Sequence, residues 1–376
     1  MLRYMTAGES HGKGIMTIID GVPAALVLDE AFINEELMRR MHGYGRGGRM
    51  AIEKDKVEVI AGCRASKTIG SPVGLLVRNI DHKIEELSGV TCPRPGHADL
   101  AGIQKFGFRD ARDVLERASA RETVGRVMAG AVAKLILREF DIRVLSHVTM
   151  IGKVAADTEN LSFEEILKLT AVEDSLLRCA DKNSEKLMIE EIDRAGENGD
   201  TLGGAFEVII DKVPPGLGSY AQWDMRLDGA IARAVMAVPA VKAVSIGCGF
   251  KVASQPGSMV HDSIGYDRKK RSFSRGSNNA GGLEGGVTNG SPVIVKGFMK
   301  PIATLRTPLR SIDINTKREE FAATERSDVS AVAACGVVAE SVTAIEIASA
   351  FLGKFGGDSI EEVRRNYKAY VEQLKK

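Results

Sequence analysis

The feature that most narrows the possible fold is a set of strings that recurs along the chain. Gly8-Glu9-Ser10-His11-Gly12, followed by Ile18-Ile19-Asp20-Gly21-Val22-Pro23, reappears as Gly199-Asp200-Thr201-Leu202-Gly203 followed by Ile209-Ile210-Asp211-Lys212-Val213-Pro214, at the same spacing. Thr68-Ile69-Gly70-Ser71-Pro72-Val73 matches Thr288-Asn289-Gly290-Ser291-Pro292-Val293, and a weaker pair sets Arg121 and Val124 against Arg326 and Val329. Three matches in one order imply two structurally related halves, about 1–150 and 195–352, inside one domain over residues 1–376. The competing reading is coincidence, because such strings are common in strands and turns.

Periodicity gives both halves the same local plan. A strand near residues 15–19 and a turn at Val22-Pro23 precede a helix over 30–41 with Ile33, Leu37 and Met41 on one face. In the second half a strand over 206–210 and a turn at Pro214-Pro215-Gly216 precede a helix with the apolar stripe Leu227, Ile231 and Val235. Further strands are expected over 57–60, 75–77 and 293–295. Hairpins and meanders with helices on one face predict an α+β fold. The apolar stretch 329–352 is long enough to span a bilayer, but Glu340 and Glu346 interrupt it, so a buried helix is expected. A charged, peripheral helix is expected over 360–376.

Differences between the halves mark where chemistry could sit. His11 lies in a turn between glycines and its counterpart is Leu202. Between residues 39 and 49 stand four arginines, Arg39, Arg40, Arg46 and Arg49, among four glycines, with no acidic residue. Unit charges held about 8 Å apart at an effective dielectric of about 20 repel by roughly 2 kcal/mol, so the cluster calls for a polyanion. Arg39 ends the helix and is left out of the candidate set. With 51 Lys plus Arg against 50 Asp plus Glu the positive field is local, which argues against a nucleic-acid or membrane binder.

The glycine pattern fits G-x-G-x-x-G but follows a helix and precedes a strand, so a dinucleotide fold is excluded on context. Ser119 and Glu122 have capping-box spacing ahead of the apolar run from Val124 to Ile136, and Arg117 and Arg121 flank that helix start. The alternative there is an ordinary capped helix with surface arginines. Arg94-Pro95-Gly96-His97, the run 300–304 and Arg326-Ser327-Asp328 are further anion candidates. Asp328 is either a salt-bridged cap or a proton acceptor working with a histidine. Five scattered cysteines and no histidine at zinc spacing argue for a reducing compartment and against a structural metal. No apolar signal segment opens the chain, so a cytoplasmic protein is expected.

Taken together, the strings at residues 8–12, 43–50, 94–99, 116–123, 216–220, 281–286, 300–304 and 326–329 closely resemble the chorismate synthase family across nearly the whole chain. The resemblance implies a homotetramer of β-α-β sandwich subunits. Each would bind reduced FMN and 5-enolpyruvylshikimate 3-phosphate and eliminate phosphate in a 1,4-anti sense to form chorismate in aromatic amino acid biosynthesis. NADPH is implied as an indirect reductant, with a separate flavin reductase left open. A substrate with two carboxylates and a phosphate accounts for the arginines.

Carried over by position, His11 would protonate the departing phosphate, His97 would stabilise the protonation state of the reduced flavin, and Asp328 would relay a proton from it. Arg40, Arg46, Arg49, Arg94, Arg121 and Arg326 would hold substrate anions. Flavin contacts would fall on Arg117, Ala118, Ser119, Pro239, Ala240, Gly285, Lys300, Pro301, Ile302, Ala303, Thr304 and Arg326. The chain departs from the family where Pro239 can be Asn and where Ala303 and Ala333 are often Pro. A flavin contact at Pro239 could use only its carbonyl or ring.

Overall fold

The computed structural model describes residues 2–47, 54–171, 174–269, 271–325 and 327–375. Two antiparallel sheets enclose a layer of helices. The first sheet contains β1 (Arg3–Ala7), β2 (Gly14–Asp20), β3 (Val57–Ala61) and β4 (Val73–Arg78), in the order β1-β2-β4-β3. The second contains β5 (Arg143–Ile151), β6 (Val154–Ala155), β7 (Gly204–Asp211), β8 (Val241–Ile246) and β9 (Val293–Met299), in the order β8-β9-β7-β5-β6. Without the short edge strand β6, the second order is that of the first, strand for strand. The architecture is α+β.

The strands form where apolar residues alternate. Ile15, Thr17 and Ile19 of β2 point inward and are buried, while Met16 and Ile18 face outward. The recurring strings do the same work in each half. Thr68 and Thr288 are buried, and their hydroxyls donate to the carbonyls of Pro23 (2.6 Å) and Pro214 (2.7 Å). In return Thr68 Oγ1 accepts the N–H of Leu26 at 3.0 Å and Thr288 Oγ1 accepts that of Leu217 at 2.8 Å. One side chain thus satisfies two buried loop groups in each half. Ser71-Pro72 and Ser291-Pro292 then lead into β4 and β9.

The helix layer holds α1 (Glu30–Met41), α4 (Thr123–Arg138), α7 (Leu227–Met236) and α8 (Val332–Phe355), counting α2 (Asp99–Phe106), α3 (Arg112–Ala118), α5 (Phe163–Leu169) and α6 (Lys182–Glu197) among the connections. Asp29 starts α1 by accepting the N–H groups of Ala31 (3.0 Å) and Phe32 (3.2 Å). At Gly130 the crossing of α4 and α8 is so close that a Cβ would lie 2.3 Å from Ser341 Cβ, which no side chain permits. Helix α8 is long and apolar enough to cross a membrane, yet most of it is buried between the sheets, as core.

One expectation needs correction, and one gains a detail. Ser119 does not form a capping box: its hydroxyl accepts the N–H of Arg121 at 3.3 Å and opens a single 3-10 turn, Ala120–Glu122, before α4. Glu122 reaches forward to Arg126 (2.8 Å) instead of back. The C-terminal helix α9 (Ile360–Leu374) lies at the edge of the molecule, but it is pinned there. Ile360 and Val363 are buried, Tyr367 packs against Phe140, Phe351 and Phe355, and the Tyr370 hydroxyl donates to the Pro215 carbonyl at 3.0 Å.

Candidate active site

Loops from both halves end on one cavity of about 540 Å³. His11 lies in the turn between β1 and β2. Asn79, just after β4, fixes that turn by donating from Nδ2 to the carbonyls of Glu9 (3.1 Å), Ser10 (3.2 Å) and Gly12 (2.7 Å). Glu116 of α3 holds the histidine itself, accepting its backbone N–H at 2.7 Å and facing Nδ1 at 3.0 Å and 3.1 Å. A carboxylate only accepts, so Nδ1 carries the proton and Nε2 is the nitrogen left for chemistry. Burial raises the Glu116 carboxyl, but hydrogen bonds from His11 and the Arg112 charge outweigh it and hold the group below its ordinary value.

His97 is built the same way. Its Nδ1 bonds the carboxylate of Asp99, the fully buried first residue of α2, and lies 3.0 Å from Arg94 Nη2. Arg94 is buried too, with Nε on Asp99 Oδ2 at 2.9 Å and Nη1 on Thr304 Oγ1 at 2.7 Å. Burial pushes the Asp99 carboxyl up, yet the hydrogen bonds from His97 and Arg94 win and keep it well below the usual carboxylate range.

Across the cavity, Arg40 in the last turn of α1 and Arg121 ahead of α4 share one buried carboxylate. Arg40 Nη2 lies 2.9 Å from Asp55 Oδ2 and Arg121 Nη1 lies 2.7 Å from Asp55 Oδ1. Arg121 Nε also donates to Asn79 Oδ1 at 2.9 Å, which ties the cation to the His11 turn. Burial, together with the charges of Arg121 and Arg46, lowers the Arg40 guanidinium below its ordinary value. Two cations on one carboxylate leave an excess positive charge facing the cavity. Asp328, ahead of α8, accepts the Gly47 N–H at 2.6 Å and lies 3.2 Å from Arg46 Nε.

Lys300, after β9, donates to the Gly96 carbonyl at 2.8 Å, and burial with the neighbouring Lys242 lowers its pKa. Ala240 bends the chain between α7 and β8 with φ of 69° and accepts the Lys300 N–H at 2.9 Å. Among the described residues six cationic side chains line the cavity: Arg40, Arg46, Lys83, Arg94, Arg121 and Lys300. They face two lining carboxylates, Glu325 and Asp328. The space suits a small polyanion, with two carboxylate-anchored imidazoles and the Arg46-paired Asp328 at its margin.

Of the residues singled out in the sequence, His11, His97, Asp328, Arg40, Arg46, Arg94, Arg121, Ala118, Ser119, Pro239, Ala240, Lys300, Ile302, Ala303 and Thr304 all line this cavity. Arg49 and Arg326 lie outside the described residues. Three others are not brought to it. The Arg117 guanidinium is spent on the carbonyls of Gly8 (2.8 Å) and Thr6 (3.1 Å). Gly285 turns the small ribbon Leu283–Glu284/Val287–Thr288, and Pro301 points to solvent between lining neighbours. Arg39 faces away, onto Glu36 (2.6 Å) and Glu340 (2.8 Å). Ala333 is buried beside Gly43.

Sequence reasoning passed over the groups behind the site: Asn79, Asp55, Glu116, Asp99, Lys83 and Glu325. Asp99 and Glu116 stood inside strings already noted, where their spacing to a histidine was no guide. Asp55 sits in the charged run Glu53-Lys54-Asp55-Lys56, which looks like a solvated face. Among the described residues no group of His, Cys, Asp and Glu could hold a metal.

A family model described as chorismate synthase matches residues 2–352. The chorismate synthase of Thermoanaerobacter pseudethanolicus is 53% identical over 377 residues, covering 100% of this chain and 99% of the relative. That of Koribacter versatilis is 50% identical over 390 residues, covering 100% and 99%. A crystal structure of chorismate synthase superposes with a TM-score of 0.82 at 41% identity, over 100% of this chain and 98% of the other.

Proposed function

The chain belongs to the chorismate synthase family, and on that premise we propose that the cavity between its two halves is where 5-enolpyruvylshikimate 3-phosphate loses phosphate by 1,4-anti elimination to give chorismate. The enzyme is a carbon–oxygen lyase of the shikimate pathway. The observation that carries the assignment of the site is the convergence of His11, His97, Asp328 and six cations, from distant parts of the sequence, on one space of about 540 Å³.

The substrate's carboxylates and phosphate meet Arg40, Arg46, Arg94 and Arg121, with Arg49 and Arg326 as further ligands. Arg40, Arg94 and Arg121 are preorganised by Asp55, Asp99 and Asn79, so little ordering of these three remains when the anion arrives. His11, with its Nδ1–H anchored on Glu116, acts as the imidazolium and gives a second proton, carried at Nε2, to the departing phosphate oxygen. Asp328, fixed by the Gly47 N–H, receives a proton on its carboxylate. His97 holds its own proton at Nδ1 against Asp99 and presents Nε2 to the cofactor side.

The residues fit reduced FMN on one count from the structure: Lys300, a partly buried cation with a lowered pKa, stands beside the backbone of Pro239-Ala240 and of residues 301–304, a cationic and otherwise neutral wall. Ala118, Ser119, Pro239, Ala240, Lys300, Ile302, Ala303 and Thr304 would hold it. When bound, reduced FMN lends electron density to the substrate ring as phosphate leaves and recovers it, so the reaction is redox-neutral.

The same reading includes a cytoplasmic homotetramer whose subunit is a single β-α-β sandwich with pseudo-two-fold related halves, supported by the repeated strand order. NADPH would reduce the flavin indirectly. The test is anaerobic: protein, reduced FMN and 5-enolpyruvylshikimate 3-phosphate should release chorismate and phosphate in equal amounts, and absence of chorismate overturns the reading. An arm with oxidised FMN and NADPH distinguishes a chain that reduces its own flavin from one that draws on a separate reductase.

A further inference from the structure

A second cavity, of about 430 Å³, opens on the other side of α1. Adjacent residues divide between the two spaces: Arg40 lines the first and Arg39 the second. The floor of the second is a buried ionic cluster. Arg39 grips Glu340 with both nitrogens (2.8 Å and 3.0 Å) and Glu36 at 2.6 Å, while Lys134 bonds both carboxylates. Those four charges balance. Arg178 is a fifth charge, and among the described residues its ion pair is a long one, to a Glu340 already held by Arg39 and Lys134.

Arg178 is only 3% exposed and lines this cavity. Its Nη2 donates to the Ser146 carbonyl at 2.5 Å and lies 3.7 Å from Glu340 Oε2, whose charge is already shared by Arg39 and Lys134. Nε and Nη1 have no partner among the described residues. Its backbone has φ of 58°, a left-handed conformation held by the Val148 N–H donating to the Arg178 carbonyl at 2.9 Å. Burial and the Arg39 charge lower this guanidinium to about 10, so it stays charged at neutral pH. An unmatched buried cation is costly unless an anion joins it.

The rest of the cavity states what the anion is attached to. Its walls are mostly apolar, with Met38, Ile142, Leu145 and Leu167 beside Glu35 and Thr170, and its rim carries Phe32 and Phe163, each covered by a guanidinium 4.6 Å from the ring centre. We infer that this cavity is a second ligand site, distinct from the proposed active site, which takes a small carboxylate with an apolar or aromatic body, its carboxylate on Arg178 and its body against Leu145 and Leu167. Arg178 is the cation of the floor without a close carboxylate of its own, so a singly charged carboxylate matches it.

Equilibrium dialysis of the wild-type chain with 3-phenylpropionate tests this, with phenylethylamine as the cationic control. One mole of 3-phenylpropionate is expected per chain, and none of the amine. Arg178→Ala removes a charge-assisted hydrogen bond and Leu167→Trp fills the space from the exposed helix α5; each should weaken binding about tenfold or more. Leu167→Trp keeps the ionic floor and guards against a misfolded Arg178→Ala. Arg46→Ala, in the first cavity, should leave the affinity for 3-phenylpropionate unchanged. No binding at millimolar probe, equal binding of the amine, or loss in Arg46→Ala with none in Leu167→Trp would each overturn the inference.

Discussion

His11 and His97 share one device: a buried carboxylate on Nδ1, from Glu116 and Asp99. Replacing His11 by Ala or Asp328 by Asn removes a proton-transfer group without touching the core, so both variants should fold normally and lose about a hundredfold or more in kcat. Near-native turnover in both would exclude the proton roles assigned to them. Asp99 gives a separate test through pH. Its folded-state carboxyl titrates below the unfolded value of 3.8, so the stability it supplies is fully present above about pH 4 and is lost as pH falls toward the folded value. The stability gap between wild type and Asp99→Asn, from urea denaturation, should therefore be widest near neutrality and narrow below pH of about 4; a gap independent of pH would exclude the linkage. At this scale the histidines and arginines could be found in the sequence, because turn glycines and unpaired charges announce them. Asp55 and Asn79 could not, since an acid in a charged run and a lone amide look like surface until the chain folds around them.

Elements obey their periodicity until a neighbour outweighs it. Strands β2 and β9 alternate as their sequences require, whereas the Ser119 and Glu122 spacing yields a 3-10 turn because Arg126 captures Glu122. Helix α8 has the composition of a membrane span, and Glu340 near its middle is an exception its surroundings explain: Arg39 of α1, Lys134 of α4 and Ser146 of β5 all bond it. Glu340→Leu would leave Arg39, Lys134 and Arg178 with one carboxylate, Glu36, and should cost about 3–5 kcal/mol in chemical denaturation. A loss under about 1 kcal/mol would mean that the cluster is already neutralised by solvent. Nothing local to residue 340 names those partners, which come from three other elements.

At the scale of the molecule, the proposed tetramer needs a surface, and the outer face of the first sheet offers one. Met5, Met16, Ile18 and Ile60 are 77%, 43%, 48% and 58% exposed, and strand register places Met5 beside Ile18. Exposed apolar rows of this kind usually mark contact with another chain. Light scattering should find four chains per particle, and the double change Met16→Glu and Ile18→Glu should lower that number; an unchanged tetramer would move the interface elsewhere. The sequence by itself determined the places of most strands and helices, the mixed fold class and most of the charged residues that line the candidate site, because these depend on periodicity, turn chemistry and residue type over short stretches. Only the tertiary structure decided which charges face which cavity. Arg39 and Arg40 are neighbours in the chain and about 100° apart around α1, so one enters a buried cluster with Glu340 and the other the proposed active site. That choice depends on α4, α8 and the loop carrying Asp55, which meet α1 only when the two sheets close over the helices.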